Sequence, residues 1–239
     1  MSRTVSILCF LFLIVINQGL TQESKKIKKQ IETGYIPVAK DSLIPDQSES
    51  VKFFDEKGNL VEETNTRIFM NKLTVHKRKY YYNNKGCLDS SLIYSNETFA
   101  EKLVYETDKR CKILSIQEYA SDGSKSFLSR YMYDSLGDKI RAVMFTNENK
   151  PYNFKEYFYD KNHNLIDESG TEQSERRYHW KYIYNKKNLL TVRKDYSGKD
   201  ELLRVHNYQY NQSDRRVREN IKDGKGVLQK VIKIRYEFY

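Results

Sequence analysis

A short aromatic motif recurs along most of this chain and constrains its fold more than any other feature. The motif is an aromatic residue, any residue, Tyr and then Asp or Asn, as in Tyr131-Met132-Tyr133-Asp134. If the second aromatic is taken as the anchor, the anchors lie at positions 54, 82, 105, 133, 159, 184, 210 and 236. A spacing that stays close to 26 residues is typical of a repeat architecture.

Each anchor is followed by four residues with the chemistry of a tight turn. Asp or Asn at the first position can accept hydrogen bonds from backbone amides two residues on. The fourth position holds a residue that tolerates positive φ in six of the seven complete copies, and Lys109 is the exception. A second turn, such as Asp122-Gly123, lies about halfway between most anchors. Each repeat is therefore expected to be two strands joined by two turns.

The pattern predicts an all-β fold, an antiparallel meander of stacked β-hairpin repeats with about 14 to 16 strands. A twisted sheet of this size tends to curl, so we expect a half-pipe, a spiral or a barrel-like shape. The paired tyrosines should point to one face and form an aromatic ladder between repeats. A helical fold is disfavoured because Gly and Asn clusters interrupt every window of helical periodicity. The last strand is an edge unless the sheet curls back or a partner covers it.

The sequence divides into three parts. Residues 1–21 have the charge and the apolar run (Val5 to Ile16) of a signal peptide, and the run is too short for a membrane-spanning helix. Residues 22–50 are polar and unpatterned, so we expect a linker. Residues 51–239 contain the repeats and form one expected domain. The protein is therefore predicted to be exported, without a lipid anchor.

Cys87 and Cys111 remain after removal of the signal peptide. They follow neighbouring anchors at similar distances, so stacking of the repeats would place them side by side. An exported compartment would allow a disulfide between them. A pair of unbonded buried thiols is the alternative, and the sequence leaves both open.

Two stretches resemble the YD repeat of the RHS family: Tyr133-Asp134-Ser135-Leu136-Gly137-Asp138-Lys139-Ile140 and Phe54-Asp55-Glu56-Lys57-Gly58-Asn59-Leu60. The resemblance covers roughly residues 51–239, although several copies lack the Gly. It implies stacked hairpins in a curved sheet and a surface or secreted protein that serves in adhesion or carbohydrate contact. The MORN-like repeats of some immunity proteins are an alternative resemblance, which the Asp or Asn after Tyr disfavours.

No catalytic or metal-binding pattern stands out in the sequence. The histidines, His76, His163, His179 and His206, lack metal-ligand spacing, and His179 and His206 are expected on opposite faces of the sheet. There is neither a nucleophile elbow nor a phosphate-binding Gly-rich loop. We therefore predict a protein that is not an enzyme and has no metal or cofactor. The enzyme alternative is a glycan hydrolase or lyase with Asp, Glu and Tyr on a concave face.

The net charge of +10 and the abundance of tyrosine suggest a binding face. The candidate residues are Tyr178, Trp180, Tyr182, Arg204, Tyr208 and Arg235, and packing within the ladder is the other interpretation of the tyrosines. We predict a secreted, periplasmic or cell-surface binding or scaffold protein that contacts a polysaccharide or an envelope protein. Nucleic acid and stable membrane insertion are not expected. A third hypothesis is an assembly subunit that pairs edge strands.

Overall fold

The computed structural model of the chain describes residues 26–39, 42–69, 72–172 and 176–239. Within these ranges the chain forms sixteen β-strands and no helix, so no helix that could cross a membrane is found in them. The strands are β1 (Ile27–Ala39), β2 (Ser42–Phe54), β3 (Leu60–Phe69), β4 (Lys72–Tyr82), β5 (Leu88–Ser95), β6 (Thr98–Thr107), β7 (Ile113–Ala120), β8 (Lys125–Tyr133), β9 (Lys139–Phe145), β10 (Pro151–Tyr159), β11 (Leu165–Glu172), β12 (Arg176–Tyr184), β13 (Leu190–Tyr196), β14 (Leu202–Tyr210), β15 (Arg216–Asp223) and β16 (Leu228–Phe238).

The strands form a single antiparallel meander that closes into a barrel. Each strand pairs with its neighbours in sequence, and β1 also pairs with β16 in a register that aligns Glu32 with Ile234. This confirms the all-β meander and selects the barrel among the predicted shapes. Closure pairs the last strand and removes free sheet edges. The hypothesis of a subunit that assembles through edge strands is therefore wrong for the described barrel.

The predicted linker over residues 22–50 is wrong where the structure describes it. Residues 27–39 form β1 and residues 42–50 begin β2, and together these strands close the barrel. Their polar side chains are used inside the sheet, since Arg216 of β15 donates a hydrogen bond to the carboxylate of Glu32 at 3.0 Å. Polar residues on both faces hide the alternation that would reveal a strand. The predicted signal peptide, residues 1–21, lies outside the described residues.

The turns after the anchors have the predicted chemistry. One carboxylate oxygen of Asp160 accepts hydrogen bonds from the backbone amides of Asn162 at 2.8 Å and Asn164 at 3.0 Å. His163, the fourth turn residue, has a φ of 61°. The equivalent first residues, which all accept amide bonds in the same way, are Asp55, Asn83, Asp108, Asp134, Asn185 and Asn211.

The third repeat differs from the sequence prediction by two residues. Its turn runs from Asp108 to Cys111, and Cys111 takes the positive φ of 64°. Thr107, rather than Tyr105, therefore occupies the anchor position, and Lys109 is no exception to the turn rule. The error arose because Thr107 lacks the aromatic ring by which the other anchors are recognised.

The two faces of the sheet differ in crowding. Tyr157 is 8% exposed, whereas its neighbour Phe158, which points to the other face, is 53% exposed. The residues equivalent to Tyr157 in other repeats, Tyr80, Tyr105, Tyr182 and Tyr208, are also buried. Because closing a sheet crowds its concave side, we assign the buried tyrosines to the inner face and the residues between them to the outer face.

The anchor tyrosines bind the backbone across two strands. The hydroxyl of Tyr159 donates a hydrogen bond to the carbonyl of Lys139 at 2.9 Å, and we call this contact a strut. The same strut joins Tyr82 to Leu60, Tyr133 to Ile113, Tyr184 to Leu165, Tyr210 to Leu190 and Tyr236 to Arg216. Each acceptor lies beside a register shift, where ladder pairing is disrupted. The predicted tyrosine ladder is thus a ladder of hydrogen bonds as well as of rings.

Candidate functional site

Five of the six candidate binding residues lie on one face of the barrel. Tyr178, Trp180 and Tyr182 on β12 share the inner face with Arg204 and Tyr208 on β14. The cross-strand register runs from Trp180 through Asp195 to Arg204, so the two strands are neighbours of β13 on either side. Arg235 is not part of this group. It alternates with the inner-face residues Ile234 and Tyr236 and therefore points outward.

Two of these tyrosines serve the packing of the barrel. Tyr182 is 5% exposed and Tyr208 is 8% exposed. Burial raises the pKa of both phenols well above the ordinary value, and nearby carboxylates add to this rise. They are therefore neutral phenols within the wall, which agrees with the ladder interpretation of the tyrosines.

The other aromatic pair is more accessible. The rings of Tyr178 and Trp180 are both partly exposed, with centroids 5.0 Å apart and planes at 42°. Lys155 places its ammonium 5.5 Å from the Tyr178 ring centroid and 5.6 Å from that of Trp180. The guanidinium of Arg193 lies 5.0 Å from the Trp180 ring. Aromatic rings held by cations in this way are rigid, flat contact surfaces.

A buried ion pair supports this aromatic pair from the neighbouring strands. The ammonium of Lys155 on β10 lies 3.1 Å from a carboxylate oxygen of Glu168 on β11. The hydroxyls of Tyr178 and Tyr182 also donate hydrogen bonds to this carboxylate, at 3.4 Å and 3.3 Å. Glu168 therefore fixes the positions of one ammonium and two phenols.

A second buried network surrounds His206. Its Nδ1 atom lies 2.7 Å from Glu219 and its Nε2 atom lies 3.1 Å from Asp195. Arg193 donates two hydrogen bonds to Asp195, at 2.8 Å and 3.1 Å. Arg216 completes the chain by contacting Glu219 at 3.5 Å and Glu32 at 3.0 Å. The network contains three carboxylates, two guanidiniums and one imidazole, so a protonated His206 makes it electrically neutral.

The direction of each pKa shift supports this charge state. Burial, and the charge of Arg193, whose guanidinium lies 2.9 Å from Nε2, would lower the pKa of His206, but hydrogen bonds to Asp195 and Glu219 outweigh both and raise the pKa. Burial would raise the pKa values of Asp195 and Glu219, yet hydrogen bonds to His206 and attraction to the arginines lower them. The imidazolium and both carboxylates therefore stabilise one another.

The arrangement is suited to structure rather than to proton transfer. Both ring nitrogens of His206 are engaged, and each network carboxylate already contacts a cation. His179 points to the outer face, where it stacks on Tyr196 at 4.6 Å and pairs with Asp200 at 3.1 Å. The prediction that His179 and His206 face opposite sides is thus confirmed. In the described part of the chain, no group of three or more His, Cys, Asp or Glu residues is placed to hold a metal ion.

The sequence prediction missed the His206 network. Arg193 and Asp195 alternate along one strand, and His206 and Glu219 lie on the next two strands. The only sign of this network in the sequence is a pair of charged residues two positions apart, followed by one titratable residue in each of the next two strands. This signal could be used only once the register between the strands was known.

The inner face also holds a pair of acidic residues away from this network. Burial, and then repulsion from Glu101, raises the pKa of Glu118 to about 7, while Ser126 and Arg78 act in the opposite direction. Arg78 is itself engaged, because it donates hydrogen bonds to Ser91 and Tyr105. Glu118 therefore changes charge near neutral pH.

Cys87 and Cys111 form a disulfide between two successive turns, with Cα atoms 4.9 Å apart. Cys87 follows the turn of the second repeat, and Cys111 is the fourth residue of the next turn. This is the junction at which Thr107 replaces the anchor tyrosine, so the strut that Thr107 cannot make is absent there. The covalent bond holds the repeats together in place of that strut.

Comparisons with known proteins inform the fold. No protein-family model matches the chain, and no curated protein matches its sequence. A porin-like protein from Bacteroides uniformis is similar in structure, with a TM-score of 0.61 and 10% identity over 88% of this chain and 98% of that one. This likeness shows a shared barrel fold.

Two further solved structures are more distant. A porin-like protein from Bacteroides vulgatus has a TM-score of 0.39 and 11% identity over 89% of this chain and 99% of that chain. The Tc holotoxin pore of Photorhabdus luminescens has a TM-score of 0.36 and 16% identity, over 79% of this chain and 12% of that chain.

Proposed function

We propose that the protein is an exported, non-enzymatic binding protein of the cell envelope that contacts a glycan through the inner face of its barrel. The observation that carries this proposal is the partly exposed pair of Tyr178 and Trp180, held by Lys155 and Arg193. Ligand sites commonly combine aromatic surface with a few placed polar groups. Arg204, exposed on the same face two strands away, supplies such a group.

Two observations support export to the envelope. The disulfide between Cys87 and Cys111 is of a kind that persists in oxidising compartments. The Bacteroides uniformis protein that shares the barrel is described as porin-like, and an envelope location for this chain is consistent with that description. The turns, in which Asp or Asn accepts backbone amides, support the proposal that the repeats are of the YD type.

The outer face supports a barrel that lies outside the lipid phase. Lys102, Arg141 and Lys181 are exposed at outward positions within strands. Lys or Arg facing lipid at the bilayer midplane costs roughly 2–4 kcal/mol for each residue. We therefore propose that the barrel is not inserted in a membrane.

Trp180 is the only tryptophan in the chain, so it can report binding by its own fluorescence. We expect a saturable change in emission when the mature protein is titrated with envelope oligosaccharides. Tyr178→Ala should weaken the apparent affinity about tenfold, because stacking surface beside Trp180 is lost. Tyr152→Ala is the matched control, since Tyr152 packs on Phe127 at 5.5 Å in another part of the barrel.

Three outcomes would overturn the proposal. One is the absence of any emission change across an oligosaccharide panel, and another is an equal loss of affinity in the Tyr178 and Tyr152 variants. The third is the release of new sugar products during incubation, which would favour the glycan hydrolase or lyase instead. Chromatography of the incubated oligosaccharides measures this third outcome.

A further inference from the structure

One sector of the outer face is strongly basic. Six basic residues point outward from four of the last five strands, and four of them are exposed. The basic sector comprises Lys181, Lys194, Arg218, Lys222, Lys233 and Arg235. None of the six forms an ion pair within 4.0 Å with a carboxylate that the structure describes. Arg218 donates a hydrogen bond to Asn220 at 2.9 Å, and Lys181 lies opposite Asp167 in the register, but no carboxylate of the described residues makes an ion pair with any of the six charges.

The register places several of these charges against each other. Lys181 on β12 is directly opposite Lys194 on β13, and Arg218 on β15 is directly opposite Lys233 on β16. Like charges at opposed positions of a sheet destabilise it. Elsewhere the outer face uses opposed pairs of opposite sign, such as Lys29 with Glu237 at 3.6 Å. Two pairs of like charges that lower the stability of one sector suggest that the sector serves in binding.

The basic sector is an extended surface with two rows of cations. Lys194 and Lys222 lie in one row, separated by Val205, so they are two strands and about 9.5 Å apart. Arg218 lies four residues below Lys222 along β15, about 13 Å away. Asn207 and Asn220, which face each other between the two rows, add amide donors and acceptors. A partner that follows this surface must present repeated anionic groups and polar groups between them.

We propose that the basic sector binds an anionic polysaccharide that carries carboxylate or sulfate groups. Its hydroxyls match the amides of Asn207 and Asn220, and its charges match the two rows of cations. The binding surface is separate from the inner face, so the proposal does not depend on a ligand at Trp180. Arg235, which the sequence prediction grouped with the inner-face residues, belongs to this surface instead.

The aromatic rings of the sector distinguish this partner from a nucleic acid. Single-stranded nucleic acids are bound largely by stacking of bases on open aromatic rings. Here the ring of Tyr196 is stacked on His179, and the ring of Tyr35 lies 4.5 Å from the ammonium of Lys233. One side of each ring is thus covered, and the sector presents six cations beside these two rings, so charge rather than base stacking dominates this surface. Export of the protein also disfavours a nucleic acid.

Binding to polygalacturonate, a polymer of carboxylated sugars, tests this proposal. We expect saturable binding by the mature protein that weakens as salt is raised, and no binding to neutral dextran. The combined variant Lys194→Glu and Lys233→Glu should weaken binding at least about tenfold. It should also retain or raise thermal stability, because each new carboxylate faces Lys181 or Arg218. Misfolding therefore cannot account for the loss.

The matched control is the combined variant Lys102→Glu and Lys125→Glu, which makes the same change in net charge outside the basic sector. Its affinity for polygalacturonate should stay within about twofold of the wild type. Equal losses in the two variants would overturn the proposal, as would binding that ignores salt. Tighter binding to single-stranded DNA or to anionic phospholipid vesicles than to polygalacturonate would also overturn it. The Trp180 titration with oligosaccharides should be the same in both variants, which separates this test from that of the inner face.

Discussion

The carboxylate of Asp138 lies 2.6 Å from the Nδ1 atom of His163, and this contact joins two successive turns of the barrel. Asp138 directly follows one turn, and His163 is the fourth residue of the next. The same two positions are joined in three other junctions by different chemistry. These are the disulfide of Cys87 and Cys111, the hydrogen bond from Lys112 to the carbonyl of Gly137, and that from Asn164 to Asn188. One geometry thus accepts covalent, ionic and neutral ties.

The tie at His163 should respond to pH. The hydrogen bond to Asp138 raises the pKa of His163, and attraction to the same carboxylate adds to the rise. Its contribution to stability is therefore complete below the ordinary pKa of about 6.5 and is lost as the pH rises through the folded value. We expect Asp138→Asn to lower the pKa of His163, measured by NMR titration, toward the ordinary value. Asp89→Asn, at an exposed position of β5 several strands away, should leave it unaltered; a similar drop in both variants would contradict the assignment.

The disulfide should stabilise the junction between repeats at which the strut is missing. Replacing Cys87 and Cys111 by Ser should lower the free energy of unfolding by about 3 kcal/mol, measured by urea denaturation. Adding Thr107→Tyr to this variant should restore about 1 kcal/mol, because the new hydroxyl can reach the backbone as the other anchors do. In the disulfide-bonded protein the same Tyr should have little effect. If Thr107→Tyr is equally neutral in both backgrounds, the strut and the disulfide do not substitute for each other.

Removal of a single strut should cost about as much as one hydrogen bond. Tyr159→Phe keeps the ring and deletes the hydroxyl that donates to Lys139, so we expect a loss of about 1 kcal/mol in the free energy of unfolding. Tyr152→Phe is the control, since the hydroxyl of Tyr152 has no hydrogen bond to a described residue. Its unfolding free energy should change by less than about 0.5 kcal/mol. Equal effects of the two substitutions would show that the struts add no stability.

The sequence predicted the local chemistry of the repeats because that chemistry is contained within each turn. Asp160 and His163 act within four residues of each other, so their types and spacing are enough to identify the turn. The positive φ at His163 and the alternation of Tyr157 and Phe158 followed from the same local rules. The number of strands and the curling of the sheet followed from counting such units.

The features that the sequence did not predict depend on contacts between distant segments. Strand β1 is recognisable as a strand through its pairing with β2 and with β16, and β16 lies about two hundred residues later in the chain. Thr107 was overlooked because its position is set by the turn after it and not by an aromatic ring. The contacts of His206 with Asp195 and Glu219 require the register of three strands, including their bulges.

Glu118 should make the barrel less stable as the pH rises. Its pKa is raised to about 7 by burial and by Glu101, so the folded state holds a proton that the unfolded state has lost above about pH 4.5. Stability attributable to this group therefore falls between about pH 4.5 and pH 7. Allowing for its partial exposure, we expect Glu118→Gln to raise the unfolding free energy at pH 8 by about 1–2 kcal/mol. The gain should disappear near pH 4.5. Glu97→Gln, in an exposed turn, is the control, and an equal gain there would refute the role of Glu118.

The His206 network should stabilise the barrel only within a window of pH, because its imidazole and its carboxylates lose their charges at opposite ends of the pH range. The raised pKa of His206 means that its contribution is complete below about pH 6.5 and is lost as the pH rises through the folded value. The lowered pKa values of Asp195 and Glu219 mean that their contributions are present above about pH 4.5 and are lost as the pH falls. His206→Phe should therefore lower the unfolding free energy by about 3 kcal/mol near pH 6, where all members are charged.

The pH profile separates this network from a simple loss of packing. The difference between the wild type and His206→Phe, measured by urea denaturation, should shrink as the pH rises through the raised pKa of His206 and again as the pH falls below about 4.5. His179→Phe is the matched control, because its partner Asp200 is 81% exposed and surface pairs contribute about 0–1 kcal/mol. A difference for His206→Phe that stays constant from acid to alkaline pH would mean that its ring packs in the wall without bearing a charge, and the neutral network of three cations and three carboxylates would have to be abandoned.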